Sequence, residues 1–147
     1  MAYVTNGDVQ ARLGTAAYLQ LTDDDGNGVA DTAVIDEARL GAEGEMNAHL
    51  AKRFAVPIDT ASFPELAAAL KSVALDLIEY RLRGRRPPVP SHVTRRRDEA
   101  VAWLRGVTDG SIALPTSGSP TTHPSRSESA IASSEPRLLS RDELETI

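Results

Sequence analysis

The chain has 147 residues, of which 41% are apolar and 4% aromatic, with no cysteine; this size suits one domain carrying an appendage. Disulfides, thiolate zinc sites and a cysteine nucleophile are excluded, and any core must be assembled from Leu, Val, Ile and Ala. The net charge of −5 is unevenly spread: residues 1–70 hold eleven acids and four bases, 71–107 four acids and nine bases, and 108–147 six acids and three bases.

The opening Met1-Ala2-Tyr3-Val4-Thr5-Asn6-Gly7-Asp8 has neither the basic run nor the apolar run of a secretory leader. No apolar stretch approaches the roughly 20 residues that cross a bilayer, so no membrane partner is expected. Thr5 is placed as a helix cap with Asp8 three residues on, and Asp8 to Leu13 reads as a first short helix stopped by Gly14. A second short helix is predicted over Thr15 to Leu21, with Ala17, Leu19 and Leu21 apolar. After a polar loop, Asp31 or Thr32 caps a helix to about Arg53, whose Val34, Ile35, Ala38, Ala42, Met46 and Leu50 recur at helical spacing. Gly41 and Gly44 weaken it by roughly 1 kcal/mol each against Ala, and they leave room for another helix.

Pro64 suits a first helical turn. From there Leu66, Leu70, Val73, Ala74, Leu77 and Ile78 form the most apolar stripe of the chain, with Tyr80 the only aromatic of that helix. It ends near Gly84, and Arg85-Arg86-Pro87-Pro88-Val89-Pro90 breaks the pattern. Ser91 is then expected to cap a last helix to about Val107, with Val93, Ala100, Val101, Leu104 and Val107 inward and Arg95, Arg96 and Arg97 starting outside. Trp103 fits either the core or an interface. From Thr108 to Ile147, eighteen of forty residues are Ser, Thr or Pro. Such a composition buries too little apolar surface to offset its ordering entropy, so this stretch is expected to be fixed only by another molecule. Its end, Pro136 to Leu144, is the expected docking element, with Leu138, Leu139, Arg141 and Leu144 as partner-binding residues. The fold class expected is all-α, a small helical bundle over residues 1–112 with an extended C-terminal arm over 113–147.

Catalytic constellations are missing. His49, His92 and His123 are scattered, and neither a phosphate-binding glycine loop nor a His-Glu-x-x-His pattern occurs. The chain is therefore expected not to be an enzyme and to require no cofactor. One motif carries chemistry: Asp23, Asp25, Asn27, Gly28 and Asp31 match positions 1, 3, 5, 6 and 9 of a helix–loop–helix calcium loop. Position 12, where a bidentate Glu belongs, is Val34. Two readings follow, a structural Ca²⁺ held by Asp23, Asp25, Asn27 and Asp31, or a metal-free turn in which Asp side chains bond backbone amides. A calcium-binding helical interaction protein is the alternative function. The arginines Arg81, Arg85, Arg86, Arg95, Arg96 and Arg97 form a candidate charge interface. They suit ordinary solvated faces, or contact with an acidic neighbouring copy, better than sequence-specific binding of nucleic acid.

Several landmarks, taken in order, resemble the small head–tail adaptor (head-completion, neck) proteins of Mu-like phages and prophages. They are the opening Met-Ala-Tyr-Val-Thr; Leu19-Gln20-Leu21-Thr22-Asp23-Asp24-Asp25-Gly26-Asn27-Gly28; Ala51 to Pro57; Val73 to Leu82; Arg97 to Leu104 followed by Gly110-Ser111-Ile112; and Ser140 to Leu144. The Ser/Thr/Pro stretch 116–136 is longer than that pattern. The resemblance implies a structural subunit repeated as a ring of twelve between the portal protein and a tail-completion or other neck protein. DNA would pass through the lumen without sequence-specific binding. It also implies a place in the virion neck, after assembly in the host cytoplasm.

Overall fold

The computed structural model describes residues 3–61 and 64–114, which form five helices: α1 (Asn6–Leu13), α2 (Thr15–Thr22), α3 (Thr32–Leu50), α4 (Pro64–Gly84) and α5 (Ser91–Asp109). No strand occurs among the described residues, so the fold is an all-α bundle. None of its helices is long and apolar enough to cross a membrane.

Helix α4 is central because its apolar residues cover more than one face. Leu66, Leu70, Val73, Ala74, Leu77 and Ile78 are buried as their spacing predicts, and Leu75, Glu79 and Leu82 are buried with them. Helices α3 and α5 run antiparallel to α4 on either side and also touch each other. Between them they contribute Ile35, Ala38, Ala42, Met46, Leu50, Val93, Ala100, Val101, Leu104 and Val107. Most of these side chains are aliphatic, which interlock at close-packed density with little rotamer strain. Trp103 is half-buried against this core, and Val34, expected inward, is half-buried as well.

The helix ends follow local chemistry. Thr5 caps α1 in a reciprocal box: its hydroxyl accepts from the Asp8 amide at 3.3 Å, and Asp8 Oδ2 accepts from the Thr5 amide at 2.9 Å. Gly14 ends α1 and begins the turn into α2. Helix α3 stops at Leu50, earlier than expected, and a tighter turn continues to Phe54, whose amide reaches the Leu50 carbonyl at 2.9 Å. Ser91 is not the cap of α5 but its first residue. Pro90 precedes it in extended conformation, and the Pro90 carbonyl accepts from Val93 and Thr94 at 3.0 and 3.2 Å. The proline ring already holds the backbone at the helix entrance, and no side-chain cap forms there.

Two glycines lie against arginine side chains. At Gly41 a Cβ would lie 2.9 Å from Arg81 Nη1, so a side chain there would oblige the flexible end of Arg81 to move. Gly44, expected to act likewise, has open space around it. Gly110 ends α5 at φ 84°, the left-handed conformation that glycine adopts without strain. Beyond it the chain turns back: the Ile112 amide bonds the Gly106 carbonyl at 3.0 Å, and Leu114 is buried in the core.

Candidate interaction surface

The arginine-rich stretch folds so that three carboxylates each hold two arginines. Glu45 on α3 meets Arg81 at 2.8 Å and Arg97 at 3.6 Å, and Arg97 also lies 5.5 Å from the ring centre of Tyr80 and 3.1 Å from Asp98. Glu79, buried within α4, meets Arg83 at 2.9 Å and Arg96 at 3.2 Å, with Arg12 Nε at 3.8 Å. Asp24 meets Arg85 and, at 3.3 Å, Arg86. Arg95 pairs loosely with Glu99 at 3.7 Å, both well exposed. All six arginines of the candidate charge interface thus have a partner within the chain. The acidic first half and the basic stretch after it are drawn together in one body, and the exposed pairs contribute at most about 1 kcal/mol each.

The Asp-rich loop is built by its own amides. Asp23 Oδ1 accepts from Gly26 at 2.7 Å and Asn27 at 3.2 Å, and its Oδ2 accepts from Gly28 at 2.8 Å. Asn27 Oδ1 accepts from Val29 at 2.7 Å, and Asp31 Oδ2 from Asp24 at 2.9 Å. From outside, Arg85 donates to the Leu21 carbonyl at 3.2 Å and Arg86 to the Asp23 carbonyl at 3.1 Å. The two arginines so occupy the negative end of α2, and Arg85 above all holds the Asp24 carboxyl below its usual range. Among the described residues no group of three or more His, Asp or Glu side chains is arranged to hold a metal ion. Position 12 of the motif, Val34, lines a crevice between α3 and α4 instead.

Besides the loose Arg12–Glu79 contact, two close ion pairs fasten α1 to α4. Lys71 donates to Asp8 at 2.5 Å, and together with the Thr5 amide and hydroxyl it holds the Asp8 carboxyl down at about 2. Arg12 reaches Asp76 at 2.5 Å, yet burial outweighs the guanidinium and raises the Asp76 pKa. The buried Glu79 and half-buried Asp76 are not singled out by the sequence, where they lie among the apolar residues of α4. The i,i+4 spacing of Glu79 and Arg83 is the one local signal that could have found Glu79; none exists for Asp76, whose partner Arg12 lies 64 residues away.

Large apolar side chains are exposed at Val29 (64%) and Leu40 (62%). Leu40 belongs to an outward face of α3 with Ala33, Glu37, Gly44 and Ala48, all exposed, next to the crevice of about 240 Å³ lined by Val34, Glu37, Ala38, Arg81 and Arg85. Neither Leu40 nor Val29 is flagged by periodicity, since one exposed Leu on a helix is ordinary. The expected docking residues Leu138, Leu139, Arg141 and Leu144 lie outside the described residues.

A family model described as Bacteriophage Mu, Gp36 matches residues 3–133. No match was found among curated proteins.

Proposed function

Since the chain belongs to the Bacteriophage Mu Gp36 family, we propose that it is a structural head–tail connector subunit of a phage-like particle, forming a ring between the portal and the tail components. The family match carries this reading: it spans every helix of the bundle and much of the Ser/Thr/Pro stretch beyond it. One physical feature supports it: the bundle uses its charged side chains to fasten helices to one another, as a rigid building block requires. In this reading copies repeat about an axis, the portal protein lies on one side and a tail-completion or other neck protein on the other. DNA passes through the lumen without being read in sequence.

The test is genetic. In a Mu-like phage or inducible prophage carrying this gene, a deletion should yield DNA-filled heads and free tails that do not join, and a plasmid copy should restore tailed particles. Normal tailed particles from the deletion would overturn the reading. Mass measurement of the purified ring, with twelve copies expected, then fixes the stoichiometry.

A further inference from the structure

We propose that the groove between α4 and α5 beside Trp103 is the seat for the root of the chain's own arm, Pro115 to Pro120. The groove has a volume of about 270 Å³, with the buried Val73 and Ala100 at its base. Because the two helices are antiparallel, Ala69 and the half-buried Trp103 lie toward one end of it, and Asp76 and Glu99 toward the other. The described residues lead there. After Gly110 the chain turns back along α5, and Ile112 packs on Gly106, where a Cβ would lie 2.9 Å from Ile112 Cδ1. Gly106 is three residues beyond Trp103, so the two are neighbours on the surface of α5. Leu114 is then buried in the core, and the chain continues from a point fixed near the Trp103 end of the groove.

The chemistry of the segment fits the groove. Asp76 is held by Arg12 at 2.5 Å and Glu99 by Arg95 at 3.7 Å, so an uncharged occupant is called for. Pro115-Thr116-Ser117-Gly118-Ser119-Pro120 has no charged side chain, and no acid, Lys or Arg follows before Arg126. Prolines dock on aromatic-lined grooves, since their fixed φ leaves little entropy to lose. Tethering to the buried Leu114 removes most of the cost of bringing the segment to its seat. Length agrees as well. Six extended residues cover roughly 19 Å at about 3.1 Å each, against about 10 Å along α4 from Ala69 to Asp76. Pro115 then meets Trp103 first, and the Thr116, Ser117 and Ser119 hydroxyls pass the two carboxylates, which accept hydrogen bonds. The arm is thereby rooted on its own body, and only the residues beyond Pro120 are left to reach a neighbour.

The inference goes beyond the connector reading and does not depend on it. Trp103 is the single tryptophan, and the chain has no cysteine, so two clean probes exist in the full-length protein. Replacing both prolines, Pro115→Gly with Pro120→Gly, should move the Trp103 emission to longer wavelength and increase its quenching by acrylamide, with the melting temperature of the bundle unchanged. Identical emission and quenching in parent and variant overturn the proposal. A disulfide gives the second measurement. Under mild oxidation, Ala69→Cys with Thr116→Cys should link within one chain, several-fold above the yield from Ala102→Cys with Thr116→Cys, because Ala102 is exposed on α5 outside the groove. Equal yields overturn the proposal, and so does an Ala69–Thr116 link that forms mainly between chains and fades on dilution.

Discussion

Helix α4 presents nine buried positions to its neighbours, whereas α1 buries only Val9 and meets α4 through Asp8–Lys71 and Arg12–Asp76. The two helices lie in one body, yet different forces hold them. Burial of apolar area is insensitive to salt and pH and gains from every neighbour. Ion pairs at partly exposed sites are screened by salt and lost on protonation. An eight-residue helix is marginal by itself, so α1 depends on its capping box and its contacts with α4. The bundle therefore has a rigid centre and a first helix whose attachment responds to solution conditions.

The comparison is broken most severely at the centre. Replacing Leu77 by Ala removes a side chain that is 1% exposed and should cost about 2–5 kcal/mol, read as a lower denaturant midpoint in a single transition. Glu79→Ala should cost less, about 1–3 kcal/mol, since Arg83 and Arg96 lose a buried partner but can turn to water. An unchanged midpoint for Glu79→Ala would show that the Glu79 ion pairs contribute nothing measurable to the packing of α4 against α5.

Smaller effects sharpen the contrast at α1. Thr5→Ala removes half of the capping box and should cost about 1 kcal/mol, with hydrogen exchange of the α1 amides rising before that of α4. The pH dependence has a defined sign. The Asp8 carboxyl titrates at about 2 in the folded chain against 3.8 ordinarily. Its contribution is thus complete above the ordinary value and disappears as pH falls through about 2. Asp76 acts in the opposite sense, because a raised pKa means that protonation favours the folded state. Lys71→Met should flatten the loss of stability between about pH 4 and 2; a profile identical to the parent would assign that loss to other carboxylates. The smallest effect is expected from calcium. Asp23 already accepts three amides, and position 12 is Val34, so millimolar Ca²⁺ should leave the melting temperature unchanged. A rise of several degrees would favour the calcium reading of the loop over the metal-free turn.

Much of the bundle was legible in the residues. The capping box at Thr5, the stop at Gly14, the stripes of α4 and α5 and the start at Pro64 are local signals, each written within one or two helical turns. Ser91 misled because two features, a proline and a serine, competed for the same helix start and the backbone constraint of Pro90 prevailed. At the candidate surface, the arginines were legible as a group but their partners were not. Glu45 lies 36 residues from Arg81, and Asp24 61 residues from Arg85. Leu40 was hidden because periodicity reports which face is buried and says nothing of an exposed apolar residue.

By itself the sequence determined helix positions, the apolar stripes and the change to a polar arm after Asp109, since backbone propensity and apolar spacing act over a few residues. The tertiary structure alone decided which charges meet, that Gly41 rather than Gly44 faces the Arg81 guanidinium, and which face of α3 is left uncovered. Those outcomes depend on side chains brought together across the chain, and no local pattern encodes that distance.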